Sequence, residues 1–286
     1  MKKELNKINF KLEFDWHLTD LCNFNCEYCH PQIRLFKNRP LPYELSLEKI
    51  VNAFNKLDSP LHILMSGGEP FLYPNFIELC RELTMKNYIT INTNLSTPDV
   101  IDFANIINPS RVVNIDAALH ILERERLNLP LSDFVSKVLL FQKKGFNIHV
   151  IYVLYPPLIK RCEKDVRKLR KYDIDKIYIK PYKGIYRGRL YPEGYSDREK
   201  KKILSIKNDY PYIRDYLTRK LCFKGEKCKA GYKSFKIEVD GSVFRCMTVK
   251  KYYGNLFKGN LKIGKKPLPC PANRVLSLAW CYRFLV

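Results

Sequence analysis

The chain opens without an uninterrupted apolar run. Its first residues, MKKELNKINFKLEF, break each short hydrophobic stretch with a charge, so they read as neither a secretory signal nor a membrane anchor, and the cytoplasm is the expected compartment. Acidic residues are scarce beside basic ones, 29 against 51, leaving a formal net charge of +22 and a field that attracts anions such as nucleic acid, phosphorylated metabolites or an acidic peptide. The densest basic stretches, KRCEKDVRKLRK (160–171) and REKKK (198–202), look like exposed helix faces, and no nucleic-acid motif accompanies them. Repeats and low-complexity segments are missing too. What the chain does have is cysteine, ten in 286 residues, with 46% apolar content, enough to bury the core of one or two domains. In a chain with no export signal, those thiols point to metal ligation ahead of a disulfide scaffold.

Short β-like runs recur along the first two thirds: LEFDWHL, LHILM, ITINT, RVVNID, IHVIYVLY and KIYIK. Between them lie segments with helical apolar spacing, such as 74–86 and 132–144. Six strand-helix alternations predict an α/β fold, a partial (β/α)6 TIM-type barrel of parallel strands covered by helices, with its chemistry at the strands' C-terminal ends. After Pro181 the pattern gives way to a Tyr- and Gly-rich loop, YKGIYRGRLYPEGY, then a basic helix, and from about residue 222 a cysteine-bearing tail. The division expected is 1–208 for the barrel core and 209–286 for a small α+β extension, with the boundary near 208–221.

TDLCNFNCEYCH (19–30) follows directly on the first strand and sets Cys22, Cys26 and Cys29 in C-x3-C-x2-C spacing. Three thiolates on a short loop can hold three irons of a four-iron cluster and leave the fourth open to a substrate or cofactor. This stretch resembles the signature of the radical S-adenosylmethionine (radical SAM) superfamily, with Tyr28 in its aromatic position. SGGEP (Ser66 to Pro70), after the second strand, is similar to that family's GGEP motif. Gly67 and Gly68 let backbone approach closely, and the Glu69 carboxylate can pair with the ammonium of the cofactor's methionine. The resemblance also directs Asn94, in NTN at the end of the third strand, and Asp116, in NIDAALH on the fourth, towards the cofactor's ribose or carboxylate. Each has an alternative as a turn or cap residue. His30 and His120 are given no catalytic role.

The tail carries Cys222, Cys228, Cys246, Cys270 and Cys281 around a strand pair turned at Asp240-Gly241. CKAG at Cys228 and the later Cys246 resemble the auxiliary-cluster extensions called SPASM or twitch domains, which implies a second four-iron cluster on Cys228, Cys246, Cys270 and Cys281. Cys222 stands in reserve for Cys270 or Cys281, and a structural zinc would use the same residues. Cys80 and Cys162 read as ordinary thiols within helices.

The resemblance implies reductive cleavage of S-adenosylmethionine at a [4Fe-4S] cluster, an electron donor of flavodoxin or ferredoxin type, and hydrogen abstraction from a substrate. Arg187 and Arg189 beyond the sixth strand suit a sugar or phosphorylated small molecule, with a peptide next. The alternative of a different class is a non-enzymatic iron-sulfur electron carrier or a nucleic-acid-binding protein.

Overall fold

The computed structural model describes residues 8–29, 46–174, 176–218, 222–274 and 284. All six sequence-predicted strands form: β1 (Leu12–Thr19), β2 (Leu61–Gly67), β3 (Tyr88–Thr93), β4 (Val112–Ala118), β5 (Ile148–Leu154) and β6 (Ile177–Pro181). They pair in sequence order, every pair parallel. Between them run α1 (Leu47–Asn55), α2 (Phe76–Thr84), α3 (Asp99–Ile106), α4 (Ile121–Arg126), α5 (Leu131–Lys143) and α6 (Cys162–Arg170). No helix among the described residues is long and apolar enough to cross a membrane.

Alternation along each strand separates two faces. One face is apolar and packs under the helices: Phe14 and Trp16 of β1 lie 5.9 and 5.3 Å from the Phe54 ring of α1, and Phe103 of α3 meets Phe71, Phe76, Phe141 and Phe146. The other face, towards the barrel interior, is polar. Glu13 and Asp15 on β1, His62 and Ser66 on β2, Thr90 and Asn92 on β3, and Asn114 and Asp116 on β4 share it, joined by side-chain hydrogen bonds such as His62 to Glu13 (2.7 Å) and His62 to Thr90 (2.9 Å).

YKGIYRGRLYPEGY forms a hairpin where a loop is the expectation. β7 (Gly184–Tyr186) and β8 (Arg189–Tyr191) pair antiparallel around Arg187-Gly188, both with positive φ, as a tight turn in a twisted ribbon requires. The basic helix follows as α7 (Asp197–Ser205), opened by a Ser196–Glu199 capping box, and α8 (Ile213–Thr218) comes next.

In the tail, β9 (Lys227–Cys228) pairs with β13 (Leu268–Pro269), while β10 (Ser234–Ile237), β11 (Ser242–Phe244) and β12 (Tyr252–Asn255) join the barrel's own sheet. β10 lies parallel to β1 on the side away from β2, with Phe235 opposite Phe14. The hairpin expected at Asp240-Gly241 forms between β10 and β11: Asp240 accepts from Ser242 N, and Gly241 adopts φ +80°.

Candidate active site

At the C-terminal end of β1 the chain leaves the sheet as the loop bearing Cys22, Cys26 and Cys29. Cys26 is buried, its flanking partners half-buried, and Cys29 N–H donates to Cys26 O (3.0 Å). Burial and the neighbouring Glu123, Cys29 and Cys22 push the Cys26 thiol well above its ordinary range, so a thiolate there needs a cation beside it.

Three contacts aim this loop. Asn23 accepts from Asn94 Nδ2 (3.0 Å) and donates to Ser96 (2.7 Å), fastening it to the end of β3. Asn25 N–H donates to Glu123 Oε1 (2.6 Å) on α4. The Tyr28 hydroxyl meets His120 Nδ1 (3.0 Å), and its ring lies 5.0 Å from Tyr155 at the end of β5. Burial and the nearby Arg124 charge push His120 down to about 4, so it stays neutral. His30 lies outside the described residues.

The double glycine of β2 lies directly on the root of the loop. Gly68 N donates to Thr19 O and Glu69 N to Leu21 O, both at 2.7 Å. A Cβ on Gly67 would sit 2.4 Å from Thr19 O, and one on Gly68 2.0 Å from Leu21 O, so no other residue fits either position; Gly67 also has φ +129°. Here glycine brings two strand ends into backbone contact beside the cysteines.

Glu69 is 1% exposed. Its Oε1 accepts from Phe71 N (3.2 Å) and the Thr93 hydroxyl (2.7 Å), and its Oε2 from Asn94 N (2.7 Å). Burial outweighs these donors and pushes the carboxyl up to about 7. Glu69 thus ties the end of β2 to the end of β3. Arg124 completes the joint: it donates to Leu119 O and Asn94 O and lies over the rings of Phe24 and Phe134.

Asp116 is held apart from this group. Its Oδ1 accepts from Asn114 Nδ2 (2.9 Å) and meets His149 Nδ1 (3.2 Å), and its Oδ2 accepts from Lys180 Nζ (3.2 Å), all from the inner faces of β4, β5 and β6. The Lys180 charge and the His149 hydrogen bond outweigh burial and hold the carboxyl below its ordinary range. Sequence reasoning missed Asn23, Asn25, Glu123 and Tyr155, whose partners are remote in sequence. It also missed His149 and Lys180, because β5 is apolar on both faces and so carries no alternation to mark its inner side.

In the tail, Leu268 pairs with Cys228, and a bridge joins Lys224 to Cys270. Cys228 lies near enough to Cys246 and Cys270 for their charges to raise its thiol further after burial has done so. Arg245, 5% exposed, donates to Ala230 O (3.2 Å) and Leu268 O (2.7 Å), locking β9 and β13 to the hairpin. Cys222 is exposed, and Cys281 lies outside the described residues. Among the described residues, no three Cys, His, Asp or Glu side chains converge to the spacing of a metal's ligands. The donor set nonetheless fits a four-iron cluster at the N-terminal loop: three soft thiols on one short loop, beside a cradle that only glycine permits.

Comparisons agree with this geometry. Residues 16–169 match the model of the Radical SAM superfamily. A UPF0026 protein of Helicobacter pylori is 29% identical over 133 residues, 41% of each chain, so the match spans about two fifths of that relative's length. A GTP 3',8-cyclase of Shewanella denitrificans is 26% identical over 131 residues, 46% of this chain and 35% of its own. Among solved structures, native anSMEcpe with bound AdoMet superimposes with TM-score 0.60 at 18% identity, covering 87% of this chain and 79% of that one. Streptococcus suis SuiB bound to S-adenosylmethionine gives 0.59 at 16%, covering 90% and 65%. At such identities the two structures establish likeness of fold, while the match along residues 16–169, more than half the chain, establishes the lineage: this chain belongs to the radical SAM superfamily.

Proposed function

We propose that the chain is an enzyme that cleaves S-adenosylmethionine reductively and abstracts a hydrogen atom from a small-molecule or peptide substrate in the barrel. The superfamily works with a [4Fe-4S] cluster and S-adenosylmethionine. The observation that carries the reading is the contact of the cysteine loop with the double glycine: Gly68 N on Thr19 O and Glu69 N on Leu21 O, at the C-terminal ends of adjacent strands. Cys22, Cys26 and Cys29 would hold the cluster, and together the two groups would supply a carbon-centred radical.

The chain's own residues bind, orient and shelter. Gly67 and Gly68, whose backbone lies bare, would take the cofactor's methionine, Glu69 would offer its carboxylate to the ammonium, and Asn94 joins loop and strand beside Glu69. Tyr28, Tyr155 and Tyr186 stand in ring contact, 5.0 Å apart at each step, and form an aromatic wall that keeps water and stray hydrogen donors from the mouth. Arg187 and Arg189, exposed on the β7–β8 hairpin next to that wall, suit an anionic group on the part of a substrate that stays outside.

The tail, residues 209–286, is the proposed twitch-like extension. Cys228, Cys246 and Cys270, which share one neighbourhood, together with Cys281 would complete a second four-iron cluster. An electron donor of flavodoxin or ferredoxin type suits the basic surface. The test is anaerobic reconstitution with iron and sulfide, followed by dithionite and S-adenosylmethionine. Formation of 5′-deoxyadenosine is the expected result; an assembled four-iron cluster that leaves the cofactor intact would sink the proposal.

A further inference from the structure

Below the mouth, three consecutive strands bring a paired carboxylate and, on either side of it, an unsatisfied polar atom to one level. Asp116 on β4 is flanked in register by Asn92 on β3 and His149 on β5. Asn92 Oδ1 and His149 Nε2 are both buried without a hydrogen-bond partner. His149 is 8% exposed, with Nδ1 on Asp116, which leaves Nε2 as the ring nitrogen open to a further partner. Buried polar atoms of this kind are costly unless something meets them, and two on either side of one carboxylate mark a place built for a ligand. Lys180, its side chain 31% exposed, and Asp116, at 18%, are the members a ligand reaches first. Tyr178 stacks on His149 at 4.4 Å and contacts Tyr210 at 5.6 Å, so rings wall the β6 side.

The charges say which ligand. Lys180 is matched to Asp116 and Lys236 to Asp15, at 3.2 and 3.1 Å, so these two lumen cations are each held by a carboxylate. A phosphate or carboxylate seated here would compete with Asp116 for Lys180, and a cation would compete with Lys180 for Asp116. A hydroxyl has neither difficulty: it donates to Asn92 Oδ1 or His149 Nε2 and accepts from the remaining Lys180 N–H groups. We infer that Asn92, Asp116, His149 and Lys180 form a recognition site for a neutral polyhydroxylated ring, a sugar or cyclitol unit, with Tyr178 as the wall on its β6 side. The site lies two residues below Ala118, where β4 ends. The inference rests on the radical reading for its chemistry: it names the class of substrate presented to the mouth, and adds no bond-breaking step of its own.

The test uses the full chain, reconstituted anaerobically, with four probes: saturation-transfer NMR reads methyl α-glucoside, myo-inositol and glucose 1-phosphate, and phosphorus line broadening reads inorganic phosphate, which has no C–H protons. The expected result is transfer to the ring C–H protons of a neutral polyol. Its Kd should weaken roughly tenfold or more in His149→Phe, which keeps the stack on Tyr178, and in Lys180→Met, which keeps the stem, while His149→Gln, which restores donor and acceptor, recovers most of the loss. Thermal melts verify folding, and Lys180→Met decides the matter if His149→Phe does not fold. Transfer of equal strength in wild type and both variants would put the polyol elsewhere and overturn the assignment. So would the absence of transfer to every neutral polyol; phosphate binding lost in Lys180→Met would then make this an anion site. Deoxyadenosine formation by the wild type is scored separately, so a cleaving protein that binds no polyol defeats this inference alone, and a polyol-binding protein that never cleaves defeats only the radical reading.

Discussion

The two sets of cysteines are built in opposite ways. Cys22, Cys26 and Cys29 come from a single loop at one strand end, aimed by Asn23, Asn25 and Tyr28 against three different elements. Cys228, Cys246 and Cys270 come from separate pieces of backbone, framed by two-residue strands and the buried Arg245. A contiguous set needs only its strand end to be in place, whereas a dispersed set exists only while its tertiary frame holds. The barrel around the first is backed by a large aromatic core; the frame around the second is made of two-residue strands and loops, so it should yield first.

The sharpest break of the comparison is chemical. Replacing any one of Cys22, Cys26 or Cys29 by Ala should abolish deoxyadenosine formation, whereas Cys222→Ala should leave it near wild type. Iron analysis extends the contrast: about eight irons per chain should fall to about four when all three N-terminal cysteines are replaced. Four falling to none, with zinc in the tail, would leave a single-cluster enzyme.

Next comes Glu69→Ala. It removes the proposed partner of the methionine ammonium and leaves Phe71 N, Asn94 N and the Thr93 hydroxyl without their acceptor. S-adenosylmethionine affinity should drop about ten- to a hundredfold, with a stability loss of about 1–3 kcal/mol or more from the orphaned donors. Calorimetric binding and a thermal melt separate the two; a lowered Tm with an unchanged Kd would assign Glu69 to the joint alone.

Arg245→Met isolates the tail. Freed carbonyls at Ala230 and Leu268 should speed amide exchange around β9 and β13 by about ten- to a hundredfold and leave β2–β4 protected. Equal acceleration in both regions would mean that the frame and the barrel unfold as one.

The smallest effect is the response to acid. Glu238, beside His17, Lys236 and Lys250 at the end of β10, has its carboxyl lowered from 4.5 to about 2, so its stabilisation is complete above pH 4.5 and is lost as the pH falls towards 2. Glu69, raised from 4.5 to about 7, has the opposite sign: the folded state holds the extra proton between those values, so its contribution improves as the pH falls from 7 to 4.5. Acid should therefore loosen the turn between β10 and β11 before the joint of β2 and β3, and Glu238→Gln should flatten that response in amide exchange followed between pH 6 and pH 3.

Six strands, the helices between them and the cysteine and glycine motifs were legible because they rest on local information: alternation, helical spacing and residue types a few positions apart. The hairpin at Arg187-Gly188 escaped notice because its strands are three residues each, too short for a period to register. The tail's Asp240-Gly241 turn could be read, but not that β10 would settle against β1, since a strand edge far off in sequence offers no periodic signal. Glu69 was recognisable as a motif residue; its role as a hub needed Thr93 and Asn94 beside it.

By itself, then, the sequence determined which segments become the six strands and which loop bears the thiols, because apolar patterning and covalent spacing travel with the chain. Only the tertiary structure decided that Asn92, Asp116 and His149 stand at one level, that Tyr155 reaches Tyr28 and that Phe235 closes on Phe14. Those pairings depend on strand register and stagger, which the packing of the whole sheet against its helices sets and no local segment encodes.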